Sequence, residues 1–293
     1  MADRQQELAD IGEFAPGVIE DLSKLAKEHN QKKTDSGPAR LGFLDMLRGL
    51  CVLFTIIFHG CYMLAHYFNL GSGFGAKWYG ILEKPYETIV MSLFVLLSGF
   101  FAQLSSNPKL RAWLLVSMAL MVSVITLLVL PSVGIDNMGV EFGIIHLLAC
   151  AKLLFAYRKK WFDKIPAFLG ALVCLFLFFY TAPVEQKFFG IFGGLRIHLP
   201  PAWYQSDILL VLGIHTGGYT SWDYYPLLPW LFLFLFGCFA GKNIKSDTFP
   251  KFCYKKAMPP LGFLSRHALA AYLLHIPALY GLFYLLEMFI NHT

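Results

Sequence analysis

Charge is what this sequence has least of. Only 15% of its 293 residues are Asp, Glu, Lys or Arg, while 57% are hydrophobic. A soluble domain carries roughly 25% charge and 45–50% apolar residues. With a mean hydropathy of +0.56, the composition excludes a disordered chain, a fibrous protein and an ordinary cytosolic globule. It points to a polytopic membrane protein. Other absences narrow the chemistry. The six cysteines, at positions 51, 61, 150, 174, 238 and 253, include no CxxC pair, so they read as small buried hydrophobes with no disulfide or zinc framework. There is no P-loop, no GxSxG elbow and no dinucleotide fingerprint; Gly71-Ser72-Gly73-Phe74-Gly75 lacks the strand–helix context a phosphate loop needs. No HExxH spacing or His/carboxylate cluster argues for a metal or haem, and no permanently bound cofactor is expected. No repeat stands out, which weakens a transporter reading. The polar first ~40 residues offer no cleavable signal peptide.

What is present is a series of apolar runs. Residues 1–40 form a basic tail in which Val18, Leu22 and Leu25 predict an amphipathic helix from Pro16 to His29, resting on anionic headgroups. Seven runs follow, at about 43–67, 87–104, 111–131, 140–157, 163–181, 224–241 and 264–290, each near the ~20 residues a helix needs to span a bilayer. Residues 182–223 break the pattern. They are rich in Pro and Gly and hold an apolar piece, Asp207–Gly217, too short to cross, so a re-entrant or interfacial segment is expected there. Net charge is +5, but the basic residues lie in short loops and read as topology signals, with no nucleic-acid partner implied. With the N-terminus inside, 18 Lys and Arg fall on the inner side and 4 on the outer. The expected fold is therefore an all-α polytopic membrane protein of about seven transmembrane helices with a cytosolic N-terminus. Its parts are a tail at 1–40 and a transmembrane domain at 41–293.

Ionisable residues inside spans are costly and mark function. On the first run, at about 100° per residue, Asp45, Arg48, His59 and His66 fall within about 60° of one another. One polar stripe must face the bundle interior or a water-filled cleft. Arg48 sits near the inner boundary, and His59 lies about 16 Å further along the axis. A phosphate-bearing donor could be held by Arg48 and present its reactive end to His59. The bland alternative is an Asp45–Arg48 pair at the helix start with a satisfied core histidine. His146 should lie at a similar depth on the fourth run, and His275, two residues before Pro277, near the middle of the last. A bond from His275 to its own helix backbone is the competing reading. Lys159 and Lys160 lie in a basic loop that topology alone explains. Asp223, Tyr224 and Trp230, with Trp203, Tyr204, Tyr219 and Trp222, form an aromatic-rich outer surface. It is either an interfacial belt or a platform for a sugar ring.

Arg48 followed ten residues later by His59 resembles the pattern of transmembrane acyltransferases. The segments Leu44-Asp45-Met46-Leu47-Arg48-Gly49-Leu50, His59-Gly60, Leu97-Ser98-Gly99, Phe142-Gly143-Ile144-Ile145-His146, Asp223 to Trp230 and Tyr272 to Pro277 are together similar to the bacterial branch of the heparan-α-glucosaminide N-acetyltransferase catalytic-domain family. The resemblance covers residues 40–290. It implies transfer of an acyl group, usually acetyl, from cytosolic acyl-CoA as co-substrate to an acceptor on the opposite face. His59 would be the catalytic histidine, with Asp45 and His146 in support. Arg48, with Lys159 and Lys160, would bind the donor, and Asp223, Tyr224, Trp230 and His275 the acceptor. By this resemblance the chain is expected to lack the luminal domain and several helices of the family's lysosomal member, so a hydroxyl or amine of a bacterial envelope glycan or glycolipid is the expected acceptor. The expected location is a bacterial inner membrane, with lipids as partners and a homo-oligomer compatible with everything seen. The competing functions are a proton-coupled transporter or flippase and a non-catalytic envelope-assembly subunit.

Overall fold

The computed structural model describes residues 41–68, 73–83, 85–134, 138–191, 194, 196–219, 221, 223–243 and 251–291. The tail and its expected amphipathic helix, like Trp222, lie outside the described residues. A compact unit spans Gly42–Thr293. Its helices are α1 (Gly42–His66), α2 (Phe74–Leu82), α3 (Tyr86–Ala102), α4 (Pro108–Val124), α5 (Ile144–Phe162), α6 (Ala167–Thr181), α7 (Leu227–Ala240), α8 (Pro259–Arg266) and α9 (Ala268–Asn291). A π-turn at Ile125–Val129 carries α4 on to Ser132.

Among the described residues, four helical stretches are long and apolar enough to cross a membrane: Gly42–His66, Pro108–Ser132, Ala167–Gln186 and Ala268–Ile290. The bent pair α2–α3 would make a fifth, and α7 is a shorter apolar helix. Each expected run thus has a helix, with α5 extending to the basic cluster at Arg158–Lys160. Phe168 is 81% exposed, Phe289 73% and Leu128 66%. Side chains this apolar on an outer surface need a lipid solvent.

Contacts between helices show their directions. Trp113 bonds Tyr157 and Ser123 bonds His146, so α4 and α5 run antiparallel. Gly170 meets Phe239 and Phe178 meets Trp230, so α6 and α7 do too. His59 meets His275, and Phe68 meets Phe283, so α1 and α9 run parallel. We call the end where α1 starts the near end. Small residues permit the closest approaches. Gly99 of α3 lies on the backbone of Phe234 and Gly237 of α7 on that of Leu96, so any Cβ there would strike a carbonyl. The main core fills the space between α3, α5, α6 and α7, with Phe155, Phe234, Leu147 and Val95 fully enclosed.

Among the described residues of 182–223 there is no spanning helix beyond the end of the Ala167–Gln186 stretch. They fold as short 3-10 turns (Ala182–Gln186, Pro201–Gln205, Asp207–Leu212) around an antiparallel hairpin of β1 (Phe188–Gly190) and β2 (Arg196–His198), in which Phe189 opposes Ile197. This small sheet departs from the all-α expectation. A separate core of Val184, Leu199, Tyr204 and Ile214 holds the layer together, and the Tyr204 hydroxyl donates to the Val184 carbonyl. The apolar piece ends at Gly213, whose φ of 88° suits a residue without Cβ. Asp207 accepts from the Thr216 amide at 2.8 Å and closes the loop.

Candidate active site

The polar stripe of α1 divides in the structure. Arg48 and His59 face internal cavities. Asp45 turns toward α8, where it accepts from Ser265 Oγ at 3.3 Å. His66 is exposed and packs on Tyr62 and Tyr79. Asp45 lies about 20 Å along the axis from His59, too far to orient it.

His59 is instead paired with His275. His59 Nδ1 lies 2.9 Å from the Thr55 carbonyl and 3.3 Å from His275 Nε2. His275, 6% exposed, places its Nδ1 2.6 Å from the Tyr272 carbonyl. A carbonyl only accepts, so in the neutral pair both Nδ1 atoms carry the proton. His59 Nδ1–H is then shared between Thr55 and His275 Nε2, and the lone pair of His59 is on Nε2. The backbone bond foreseen for His275 is present, and the ring also reaches His59, which sequence reasoning had not joined to it.

His146 does not join this pair. The Gly143 amide donates to its Nδ1 at 3.2 Å, and its Nε2 lies 2.9 Å from Ser123 Oγ, which donates to the Val140 carbonyl at 2.9 Å. The ring caps the start of α5 and ties it to α4.

His59 lines a cavity of about 480 Å³ with Tyr62, Tyr67, Tyr79, Glu87, Glu141, Tyr219 and Ser221. Its described lining holds two carboxylates and no lysine or arginine. None of the four expected acceptor residues is among its described lining. Asp223 accepts from the Ile144 amide at 3.2 Å and from the Tyr272 hydroxyl at 2.5 Å. Gly143 leaves room for that carboxylate, which any Cβ would strike. Desolvation pushes the Asp223 carboxyl up to about 6, against the pull of the Tyr272 hydroxyl and the Ile144 amide. The Tyr224 hydroxyl donates to the Leu210 carbonyl, and Trp230 packs between Tyr225 and Phe178. These three hold the bundle together around the site.

Toward the near end the charges reverse. Arg48, Arg111 and Lys152 line one cavity of about 80 Å³ with Ser98 and Phe101, and a second of about 190 Å³ that reaches Tyr272. No carboxylate is among the described residues of either lining. The Arg48 guanidinium lies 5.5 Å over the Phe101 ring, and its Nε is buried without a partner. Lys159 lies outside the cluster, bonded to Gln103 at 2.8 Å and to Asp163 at 3.4 Å, and Lys160 is exposed. Arg111 and Lys152 take the places expected for them. Lys152 had a visible signal, since with Arg48 it is one of two cations lying more than three residues from either end of an apolar run. A constriction of about 10 Å³, lined by Phe94, Ile144, Tyr272, Thr55 and His275, separates the cations from the histidine pair.

The family model of the heparan-alpha-glucosaminide N-acetyltransferase catalytic domain matches residues 40–277. The match covers most of the chain, and the protein belongs to this family. No curated protein and no solved structure matches it. Membership and the apolar helices together make it an integral membrane protein and point to a membrane acetyltransferase.

Proposed function

We propose that the protein transfers an acyl group, in the first place acetyl, from acyl-CoA at the near end to a hydroxyl or amine of a glycan or glycolipid at the far end. The observation that carries this reading is the placement of the histidine pair between a cation cluster and a cavity lined by carboxylates and tyrosines. Three cations line cavities whose described residues include no carboxylate, and the buried Arg48 Nε, without a hydrogen-bond partner, is a donor for an incoming anion. CoA phosphates supply it, with Arg48 offering a planar fork. Lys159 and Lys160 are left with a lesser role at the mouth.

His59 Nε2 takes the proton of the acceptor O–H or N–H as the new C–O or C–N bond forms. The C–S bond of the thioester breaks, and the thiolate leaves as the CoA thiol once protonated. The alternative is a brief acyl-imidazole on Nε2, relieved by the acceptor. Both routes need the tautomer that Thr55 and His275 favour. The far cavity receives the acceptor, with tyrosine rings to stack on sugar faces and Glu87 and Glu141 to accept from its hydroxyls or amine.

Seven crossings with the N-terminus in the cytosol suit both the basic loops and the alternating helices, and put the acceptor on the outer face of a bacterial inner membrane. Vesicles carrying the protein in known orientation test this. Acetyl-CoA given only on the N-terminal face should support transfer to an acceptor confined to the other. Transfer only with both substrates on the N-terminal side would refute the sidedness. Solute movement without CoA thiol release would make the protein a transporter.

A further inference from the structure

Away from the reaction path, α5 and α6 both pack on α7 and leave an open groove between them. It holds about 630 Å³ and is almost wholly apolar, with Leu169, Val173 and Leu177 on one wall, Leu154 and Trp161 on the other, and Phe239 in the floor. The two walls are eight and nine residues long, about 12–14 Å. That is close to the depth of one leaflet, half of a ~30 Å hydrocarbon core. The groove has a polar end. Arg158 lines its mouth, is exposed, and makes no hydrogen bond or ion pair among the described residues. Trp161 beside it is 58% exposed, as suits an interfacial ring. The neighbouring Lys242 is already used. Its Nζ donates to the carbonyls of Phe162 at 3.1 Å, Asp163 at 2.8 Å and Ile165 at 2.5 Å, fixing the α5–α6 turn that forms the mouth.

We propose that this groove is a binding site for an anionic phospholipid, with one acyl tail between α5 and α6 and the head phosphate on Arg158. Length, lining and the free Arg158 at the mouth select a lipid of one leaflet, and the charge selects its headgroup. A second copy of the chain would have to place an apolar helix in the groove and leave Arg158 unpaired.

Protein reconstituted in nanodiscs of phosphatidylcholine mixed with phosphatidylglycerol, then released into mild detergent, can be read by native mass spectrometry. One phosphatidylglycerol per chain should remain bound in preference to phosphatidylcholine. Arg158→Gln, at an exposed position, should reduce that preference about fivefold and leave phosphatidylcholine retention unchanged. Val173→Trp should fill the groove and remove both lipids, with Leu169→Phe as a milder filler should the tryptophan impair folding. Equal retention of the two lipids, or no change in Arg158→Gln, would overturn the headgroup assignment. A lipid-free dimer dissociated by Val173→Trp would give the groove to a second copy and overturn the proposal entirely. Because the site touches neither His59 nor the cation cluster, these outcomes are independent of whether the acyltransferase reading holds.

Discussion

On one side of the His59–His275 pair the cavities are lined by Arg48, Arg111 and Lys152, and on the other by Glu87, Glu141 and a group of tyrosines. Neither described lining contains its counter-charge. Paired charges would have stabilised each region alone, since an uncompensated ion in a low-dielectric site is costly. Segregation instead leaves each side short of a partner that a substrate can provide. The near side asks for an anion and the far side for hydrogen-bond donors or a cation. Under the proposed function, the chain gives up some stability to hold two different ligands at fixed places beside one imidazole.

The strongest way to break this comparison is to remove its midpoint. His59→Ala should lower turnover by roughly two to four decades with the helical fold and both cavities intact. Near-normal turnover would remove His59 from the chemistry. His275→Phe should cost less, because the Thr55 carbonyl still accepts from Nδ1. The cation side comes next. Arg48→Ala or Lys152→Met should weaken acetyl-CoA binding by about 10- to 100-fold, as expected for a lost hydrogen bond to a charged group. Lys159→Gln should do little, its ammonium being held by Gln103 and Asp163. Arg48→Lys keeps the charge but loses the fork, so it should fall between. Equal donor affinity in all four variants would leave the cluster without a ligand. On the acidic side, Glu87→Gln and Glu141→Gln should raise the acceptor KM about two- to fivefold, as for partly solvated charges. The rise should be greater for an amine acceptor than for a hydroxyl. Glu87→Gln can still accept from the Tyr225 hydroxyl, so its fold should hold.

Much of this was legible in the sequence because one helix carries it. Apolar runs of spanning length located every described helix except α2 and α8, and helical periodicity put Arg48 and His59 on one face. The same periodicity overreached at Asp45 and His66. A shared face does not say which neighbour packs on it at each level, and α8 claims Asp45 while α2 meets His66. Partners from other helices were beyond reach for the same reason. Nothing in the local pattern of Lys152 or His275 says that α5 and α9 turn those side chains toward α1. For Asp223, Tyr224 and Trp230 the sequence could not show the contacts they make within the chain, because a hydrogen-bonding residue beside aromatics looks alike whether it holds a sugar or a neighbouring segment.

Asp223 gives the prediction with the sharpest sign. It ties α5 to α9 between the two charged regions, accepting from Ile144 and Tyr272. Asp223→Ala leaves both donors buried and unsatisfied, at about 1–3 kcal/mol each. Asp223→Asn isolates the titration. The folded carboxyl is pushed up to about 6, against roughly 3.9 in an unfolded chain. The folded state therefore holds this proton more tightly than the unfolded one. Stability linked to the group must rise as pH falls through about 6 toward about 4, and level off outside that window. Thermal unfolding of wild type and Asp223→Asn at pH 7 and pH 5 reads the difference. Wild type should gain roughly 1–3 kcal/mol more than the variant on acidification. An equal response in the two proteins would mean that Asp223 titrates as an ordinary carboxylate. The latch between α5 and α9 would then be more open to water than its hydrogen bonds suggest.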